Sequence, residues 1–193
     1  MRQHLGFRPL SQQDAPTIYR HTHRDASFYR RPLITPPPAT EDAVRDWIAR
    51  HENNPSSHYT AVTLDDHPVG AVGLTKIRPS LDAELTYWIA ESYRRRGLAH
   101  HAIDHIHSIA DEHDIPLLYA YVDQDNKISA HLLERHGYTP EPDGSPFPDQ
   151  DVYVKHLIPE REQTLNTALH SSSPPCYEPT PAESYAPRTR ANR

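Results

Sequence analysis

The sequence contains a single cysteine, Cys176, and only six glycines among its 193 residues. One cysteine excludes an intrachain disulfide and any zinc or iron–sulfur site that needs several cysteines. No segment reaches the roughly 18 consecutive apolar residues of a membrane span, and the start MRQHLGFRPL lacks the apolar run of a signal peptide. We therefore expect a soluble, cytoplasmic protein with no membrane partner.

Positive charge is also in short supply, because 20 Lys and Arg stand against 26 Asp and Glu, for a formal net charge of -6. Proteins that bind nucleic acid need a basic surplus to contact phosphates, so we expect no nucleic-acid partner. The hydrophobic fraction of 36% is enough for one ordinary core and too small for two. Proline and histidine, in contrast, are abundant, with 20 and 15 residues.

The composition changes at Pro159. From there to the end, the chain has six Pro, two Leu and no Val, Ile, Phe or Trp. Such a segment cannot form a hydrophobic core, and its four Arg balance its four Glu. We predict one domain over residues 1–158, followed by a disordered Pro-rich tail over residues 159–193.

Hydrophobic periodicity predicts the order of elements within this domain. Predicted strands cover residues 5–10, 59–64, 68–77, 83–90, 117–122 and 151–158. Predicted helices begin near Ser11, Thr40, Ala99 and Ile128. In the fourth strand, period-two alternation separates Leu85, Tyr87 and Ile89 from Glu84, Thr86 and Trp88. The order indicates an α/β fold with a mixed α+β sheet and helices on both faces.

An arginine-rich turn joins the fourth strand to the longest predicted helix, in the segment YWIAESYRRRGLA. The free N–H groups of a first helical turn and the helix dipole attract anions there, and Arg94, Arg95 and Arg96 add positive charge. Gly97 allows close approach to the backbone. This pattern is typical of a phosphate or pyrophosphate site, while solvated loop arginines are the alternative interpretation.

Two motifs resemble those of the GNAT superfamily of acetyl-CoA-dependent N-acetyltransferases. Arg94-x-x-Gly97-x-Ala99 is similar to its Q/R-x-x-G-x-G/A signature, and the stretch from Asn126 to Tyr138 is similar to its N-x-x-S…G-F/Y element. Over residues 5–158, the chain resembles the ribosomal-protein N-acetyltransferase branch of this superfamily. The resemblance implies a mostly antiparallel central sheet with splayed fourth and fifth strands, acetyl-CoA as co-substrate, and no metal.

The resemblance also implies which residues contact coenzyme A. The pyrophosphate would lie on the arginine–glycine turn, and the pantetheine would bond to the backbone of the fourth strand. The cofactor contacts implied are Trp88, Ile89, Ala90, Arg94, Arg95, Arg96, Gly97, Leu98, Ala99 and Asn126. Arg95 stands where this branch often has Gly.

The general acid of many relatives is missing from the sequence. Those relatives carry a Tyr seven residues after the Asn, to reprotonate the departing thiolate, and this chain has Leu133 there. Ser129 aligns with the serine that resembles its substitute in the ribosomal-protein branch. A serine near a helix start is as often a cap, so both roles of Ser129 stay open.

A transferase of this kind also needs a base that removes a proton from the attacking amine. Glu84 is the leading candidate, because it lies on the fourth strand among neutral neighbours. The alternative is a surface carboxylate paired with Lys or Arg. Asp143 and Asp151 flank a Pro-rich loop and are the next candidates.

Histidines at i and i+4 on one helix, His101 and His105, could hold a metal ion. They lie opposite the apolar stripe of that helix, and no third ligand is fixed by spacing, so we expect solvated surface instead.

Together, these features predict an N-acetyltransferase that moves an acetyl group from acetyl-CoA to a primary amine by direct attack in a ternary complex. The acceptor would be a protein N-terminus or a small molecule, and the enzyme a monomer or homodimer. Leu133 suggests an alternative, a non-catalytic acyl-CoA-binding sensor or scaffold.

Overall fold

The structure is a computed structural model, which describes residues 3–23, 25, 40–76, 82–141 and 144–157. Its strands are β1 (Leu5–Pro9), β2 (Ser57–Leu64), β3 (His67–Lys76), β4 (Ala83–Ile89), β5 (Leu117–Asp123), β6 (Thr139–Glu141) and β7 (Gln150–His156). Its α-helices in this part of the chain are α1 (Ala15–Thr22), α2 (Glu41–Glu52), α3 (Leu98–Glu112) and α4 (Lys127–Arg135). Short 3₁₀ turns cover Gln12–Asp14 and Glu91–Tyr93. Each described helix is too short or too polar to cross a bilayer.

The strands form one sheet in the order β1-β2-β3-β4-β5-β7-β6. Every neighbouring pair is antiparallel except β4 and β5, which are parallel. Pairing between β4 and β5 is limited to Ala83 with Leu118 and Glu84 with Tyr119. Beyond Glu84 the two strands separate, which confirms the predicted splay and opens a cleft in the middle of the sheet.

Both faces of the sheet carry a hydrophobic core, as the alternation in β4 predicts. On one face, Leu85 and Ile89 pack with the apolar stripe of α3 and with Leu132 and Leu133 of α4. On the other face, Trp88 packs with residues of α1 and α2. Burying large apolar side chains on both faces stabilises the sheet, and β4 contributes side chains to both cores.

Local signals explain how the N-terminal elements begin. The Asp14 carboxylate accepts hydrogen bonds from the Ser11 backbone N–H and hydroxyl, at 3.0 and 3.2 Å, and Ser11 and Asp14 form a capping box. Asp14 also pairs with Arg8, at 2.7 Å.

The β2–β3 hairpin turns at Asp65 and Asp66, both of which have positive φ.

Several details differ from the sequence-based prediction. Strand β6 was not predicted, because its three residues are all exposed and show no apolar alternation. Ile128, near which the last helix was predicted to begin, is 86% exposed, since the first turn of α4 is not covered by the core. The predicted tail, residues 159–193, lies outside the described residues.

Candidate active site

The turn between β4 and α3 leaves backbone N–H groups available to a ligand. Gly97 is the N-cap of α3, with a φ of 78°, and a glycine has no side chain that could cap the helix. A Cβ atom built at Gly97 would meet nothing within 4 Å, so the turn faces open space. The first turn of α3 also contains no acidic residue. Its amides and the helix dipole therefore form an uncompensated positive end, suited to an anion.

The three arginines of this turn have different surroundings. The Arg94 guanidinium donates from Nε to the Ile89 carbonyl, at 2.8 Å, and pairs with the buried carboxylate of Asp25. Arg94 therefore braces the turn, and this placement does not support its predicted phosphate contact. Trp88 donates to the same Asp25 carboxylate, at 3.4 Å. Asp25 could not be predicted from the sequence, because no periodicity or motif marks it.

Arg95 and Arg96 are exposed at the turn. Arg96 donates to the Ser92 carbonyl, at 3.2 Å, and lies over the Tyr93 ring, 5.2 Å from its centroid. Arg95 makes no hydrogen bond or ion pair within the described part of the chain, so its guanidinium can turn toward an anion. Its φ of 62° lies in the left-handed region, which explains why a Gly is common at this position in the family that the motif resembles.

Alternate residues of β4 hydrogen-bond to β3, and the residues between them direct their backbone groups toward the cleft. Ala90 N–H donates to the Val69 carbonyl of the β3 side, at 2.8 Å. In an antiparallel pair, the residues that bond to the neighbouring strand alternate, so Trp88 also directs its backbone groups toward β3. Tyr87 and Ile89 direct theirs toward the cleft. Of the predicted backbone contacts, only Ile89 is therefore oriented for one, and Tyr87 joins it.

Asn126 and Ser129 lie together at the start of α4. Asn126 is the N-cap, and its Oδ1 accepts the Ser129 backbone N–H at 3.2 Å. The cap of this helix is thus Asn126, and the Ser129 hydroxyl serves another purpose. It forms a 2.5 Å hydrogen bond with the phenol of Tyr87, which comes from β4.

Tyr87 is a candidate site residue that was not predicted from the sequence, where it only shares a face of the fourth strand with Leu85 and Ile89. Burial raises the pKa of its phenol to about 12, although the hydrogen bond to Ser129 acts in the opposite direction. The sequence signal that could have identified Tyr87 is a polar hydroxyl among apolar residues on one face of β4, the strand that separates from β5. Leu133, at the position of the missing tyrosine, is fully buried in the core and offers no proton.

Glu84 lies on the opposite face of β4, at the last pair before the splay. Burial raises the pKa of its carboxyl. It makes no hydrogen bond or ion pair with any described residue, so this part of the chain supplies no Lys or Arg partner for it. Its neighbours are the Tyr59 phenol and the hydroxyls bonded to it, from Thr75 and Thr86, at 3.3 and 3.4 Å. A carboxylate in this setting is suited to proton transfer.

The other two candidate bases are less well placed. The Asp151 carboxylate accepts a hydrogen bond from Gln124, at 3.3 Å, on the far side of β5. Asp143 lies outside the described residues.

The predicted histidine pair does not form a cluster. His101 is exposed as expected, but His105 is half-buried and stacks on Phe7, with ring centroids 4.3 Å apart. The interpretation of His105 as solvated surface is therefore wrong, because the edge strand β1 covers it. Burial lowers the pKa of His105.

A different group, Asp104, His107 and His136, brings possible metal ligands within 4.8 Å of one another. The two ring nitrogens of His136 already lie 3.3 Å from Asp104 and 3.0 Å from His100. The ring nitrogens of His107 lie 3.1 Å from the Tyr138 hydroxyl and 3.4 Å from Lys155 Nζ. Each of the four ring nitrogens thus has a protein partner, and the group forms a polar network.

Because His107 in this network is partly buried, we expect the folded protein to lose stability in acid. Burial and the Lys155 charge lower the pKa of His107 to about 4. The unfolded chain therefore binds a proton more readily, and stability present above pH ~6.5 is lost as pH falls toward ~4. Between pH 7 and 4.5, we expect the His107→Gln variant to lose up to about 2 kcal/mol less of its free energy of unfolding than wild type does. This value allows for solvent screening of a partly exposed ring. Urea unfolding at pH 7 and 4.5 measures it, with exposed His101→Gln as the control. Parallel pH profiles for wild type and His107→Gln would contradict the prediction.

Comparison with known proteins adds independent findings. The family model of the acetyltransferase (GNAT) domain matches residues 4–139. No curated protein matches the chain. Among solved structures, the fold is similar to an acetyltransferase from Thermus thermophilus, with 26% identity and a TM-score of 0.66, covering 79% of this chain and 97% of that one.

Two further structures share the fold at lower identity. One is RimL, a ribosomal L7/L12 alpha-N-protein acetyltransferase in complex with coenzyme A, with 15% identity, a TM-score of 0.69, and coverage of 79% of this chain and 94% of that one. The other is the microcin C7 self immunity acetyltransferase MccE in complex with acetyl-CoA and AMP, with 16% identity, a TM-score of 0.67, and coverage of 79% and 92%.

Proposed function

The chain belongs to the GNAT acetyltransferase family, and on that basis we propose that it transfers an acetyl group from acetyl-CoA to a primary amine by direct attack in a ternary complex. The observation that carries the proposal is the cleft between β4 and β5, which has an anion-binding turn at its mouth and proton-transfer groups on both sides of the sheet. The structural relatives that hold coenzyme A or acetyl-CoA support this choice of donor.

Acetyl-CoA fits the cleft through two sets of groups. The amides of Gly97, Leu98 and Ala99 would hold the pyrophosphate, with the Arg95 and Arg96 side chains as counter-charges. The cleft-facing backbone groups of Tyr87 and the Ile89 N–H would bond to the pantetheine, as an added strand does, while the Ile89 carbonyl already accepts a hydrogen bond from Arg94. The Asn126 side-chain NH₂ remains a donor near the same end, because only its oxygen is used in capping.

The two proton-transfer groups lie on opposite faces of the sheet. Bound acetyl-CoA supplies the activated acetyl group. Glu84, on the face of α1 and α2, would take the proton from the acceptor amine, directly or through water. Ser129, on the face of α4, would give a proton to the departing sulfur. A base and an acid on opposite sides of the scissile bond can act in one ternary complex without competing for the same proton.

The acceptor is proposed by class only, as a primary amine of a protein N-terminus or a small molecule. RimL, which shares the fold, is an alpha-N-protein acetyltransferase of ribosomal L7/L12, and the microcin C7 relative is a self immunity acetyltransferase, so acetyltransferases with this fold serve different purposes.

One observation favours a second function, an acyl-CoA sensor or scaffold without turnover. Leu133 fills the position at which many relatives carry a tyrosine and is fully buried, so that general acid is lost here.

Turnover separates the two functions. We expect wild-type protein with acetyl-CoA to release free thiol when a suitable amine is present, in a screen of N-terminal peptides, polyamines, amino acids and aminoglycosides. The matched control is Gly97→Glu, which should release none. Tight acetyl-CoA binding without thiol release for every amine would favour the sensor, and no binding at millimolar acetyl-CoA would contradict both functions.

A further inference from the structure

We propose that Tyr87 is a positioning residue for acyl transfer, because its phenol donates a hydrogen bond to Ser129 and supports the proton that Ser129 gives to the departing sulfur. This inference rests on the proposed function and deepens it. It assigns the role of the missing helix tyrosine to a side chain from a different element of the fold, the central strand β4.

The geometry brings the two hydroxyls together from distant parts of the chain. Tyr87 Oη and Ser129 Oγ are 2.5 Å apart and separated by 42 residues in sequence. Tyr87 follows the last β4–β5 pair by three residues, so it lies along the cleft wall. Asn126 holds the Ser129 backbone N–H at 3.2 Å, so backbone and hydroxyl are both fixed.

The direction of the hydrogen bond follows from acidity. A phenol is a stronger acid than an alkyl hydroxyl and is therefore the better donor. Burial raises the pKa of Tyr87 to about 12, so the phenol keeps its proton at neutral pH. With Tyr87 donating to Oγ, the Ser129 proton is free to point elsewhere, and Ser129 is only partly buried.

The position of Leu133 shows why another element must supply this group. Ser129 and Leu133 are four residues apart on α4 and so share one face of the helix. Leu133 is fully buried, and Tyr87 packs against the same core. The phenol of Tyr87 therefore reaches, from β4, the helix face on which most relatives place their tyrosine.

The proton movements balance. As the amine nitrogen bonds to the acetyl carbon, the carbon–sulfur bond breaks and its electron pair goes to sulfur. The amine nitrogen loses its proton to Glu84, the Ser129 proton moves to the sulfur, and the Tyr87 proton moves to Ser129. Water then returns a proton to the phenolate, and the proton held by Glu84 goes back to the solvent, so no net proton is gained or lost. The relay avoids a free serine alkoxide, which is a far stronger base than a phenolate.

The first test is a double-mutant cycle. Tyr87→Phe keeps the ring in the core and removes the hydroxyl. We expect kcat to fall about 10–100-fold, with the KM for acetyl-CoA within about twofold of wild type. In a Ser129→Ala background, the same change should have almost no effect, because the relay is already broken. The matched control, Tyr138→Phe, removes a neighbouring buried phenol that bonds to His107, and should keep kcat.

The second test reads the site without turnover. A hydrogen-bond donor aimed at sulfur stabilises the thiolate of bound coenzyme A and lowers the pKa of its thiol. We expect ultraviolet titration of the thiolate in the complex to show a higher thiol pKa for Tyr87→Phe than for wild type. A merely structural role of Tyr87 would leave that thiol pKa unchanged.

The outcomes separate this inference from the proposed function. An active wild type with an unchanged Tyr87→Phe rate, fully additive losses in the cycle, or an unchanged thiol pKa would overturn the role of Tyr87 alone. A wild type that transfers no acetyl group would overturn both. If Tyr87→Phe melts early, Tyr87→Met replaces it, because flexible Met fills irregular space in a core.

Discussion

Replacing Glu84 by Gln is expected to lower kcat/KM about 10²–10⁴-fold at neutral pH, the usual value of a general base, while the affinity for acetyl-CoA stays nearly constant. Gln keeps the shape of the side chain and removes its basicity. Raising the pH should restore part of the rate, because the amine acceptor increasingly loses its own proton, with an ordinary pKa of about 10.4 for Lys and about 8 for an α-amino group.

The same substitution should increase stability, which distinguishes a functional carboxylate from a structural one. Burial raises the pKa of the Glu84 carboxyl, so the folded protein favours the protonated form of this group. The stability that comes from this preference is fully present below the unfolded pKa and is lost as pH rises through the folded pKa, where the buried carboxyl must ionise. Glu84→Gln carries no charge at any pH. We therefore expect its melting temperature to exceed that of wild type at pH 7 and to approach it near pH 4.

Steady-state kinetics and thermal melts at several pH values measure both effects. Asp151→Asn is the matched control, because it neutralises another candidate carboxylate, which lies on β7 and bonds to Gln124. An unchanged rate for Glu84→Gln at neutral pH would move the base elsewhere. A large loss of rate with a lower melting temperature would instead indicate damage to the fold.

Gly97→Glu is expected to abolish the binding of acetyl-CoA and, with it, all turnover. Ligand at about 100 times its Kd stabilises wild type by about 2.7 kcal/mol, a rise of several degrees in Tm for a domain of this size. The new carboxylate would project from the turn into the open space where the pyrophosphate should lie. Its charge would also oppose the anion at the positive end of α3.

Gly97→Ala separates backbone strain from blocking. Both variants must adopt a φ of 78°, which costs an L residue about 1–2 kcal/mol, but only Glu brings charge and bulk. In a thermal-shift titration, the Ala variant should still respond to acetyl-CoA and the Glu variant should not. An equal response from Gly97→Glu and wild type would place the pyrophosphate elsewhere.

Much of the architecture could be predicted because its signals are local. Alternation in β4 separates its two faces, and the apolar stripe of α3 lies within 15 residues of chain. The capping box at Ser11 and the left-handed Gly97 depend on residues within one turn. The anion-binding turn belongs to the same class, since a strand, a glycine and a helix start follow one another directly.

The pairings inside the site come from contacts between distant residues, and these depend on how the strands are ordered and where they part. Tyr87 contacts Ser129 across 42 residues, and Arg94 pairs with Asp25 across 69, which engages one of the three arginines in the turn before α3. No local pattern records such distances, because periodicity describes only which face a side chain takes. The physical cause is the parallel β4–β5 pair, which ends after Glu84 and so places a carboxylate on one face of the cleft and two hydroxyls on the other.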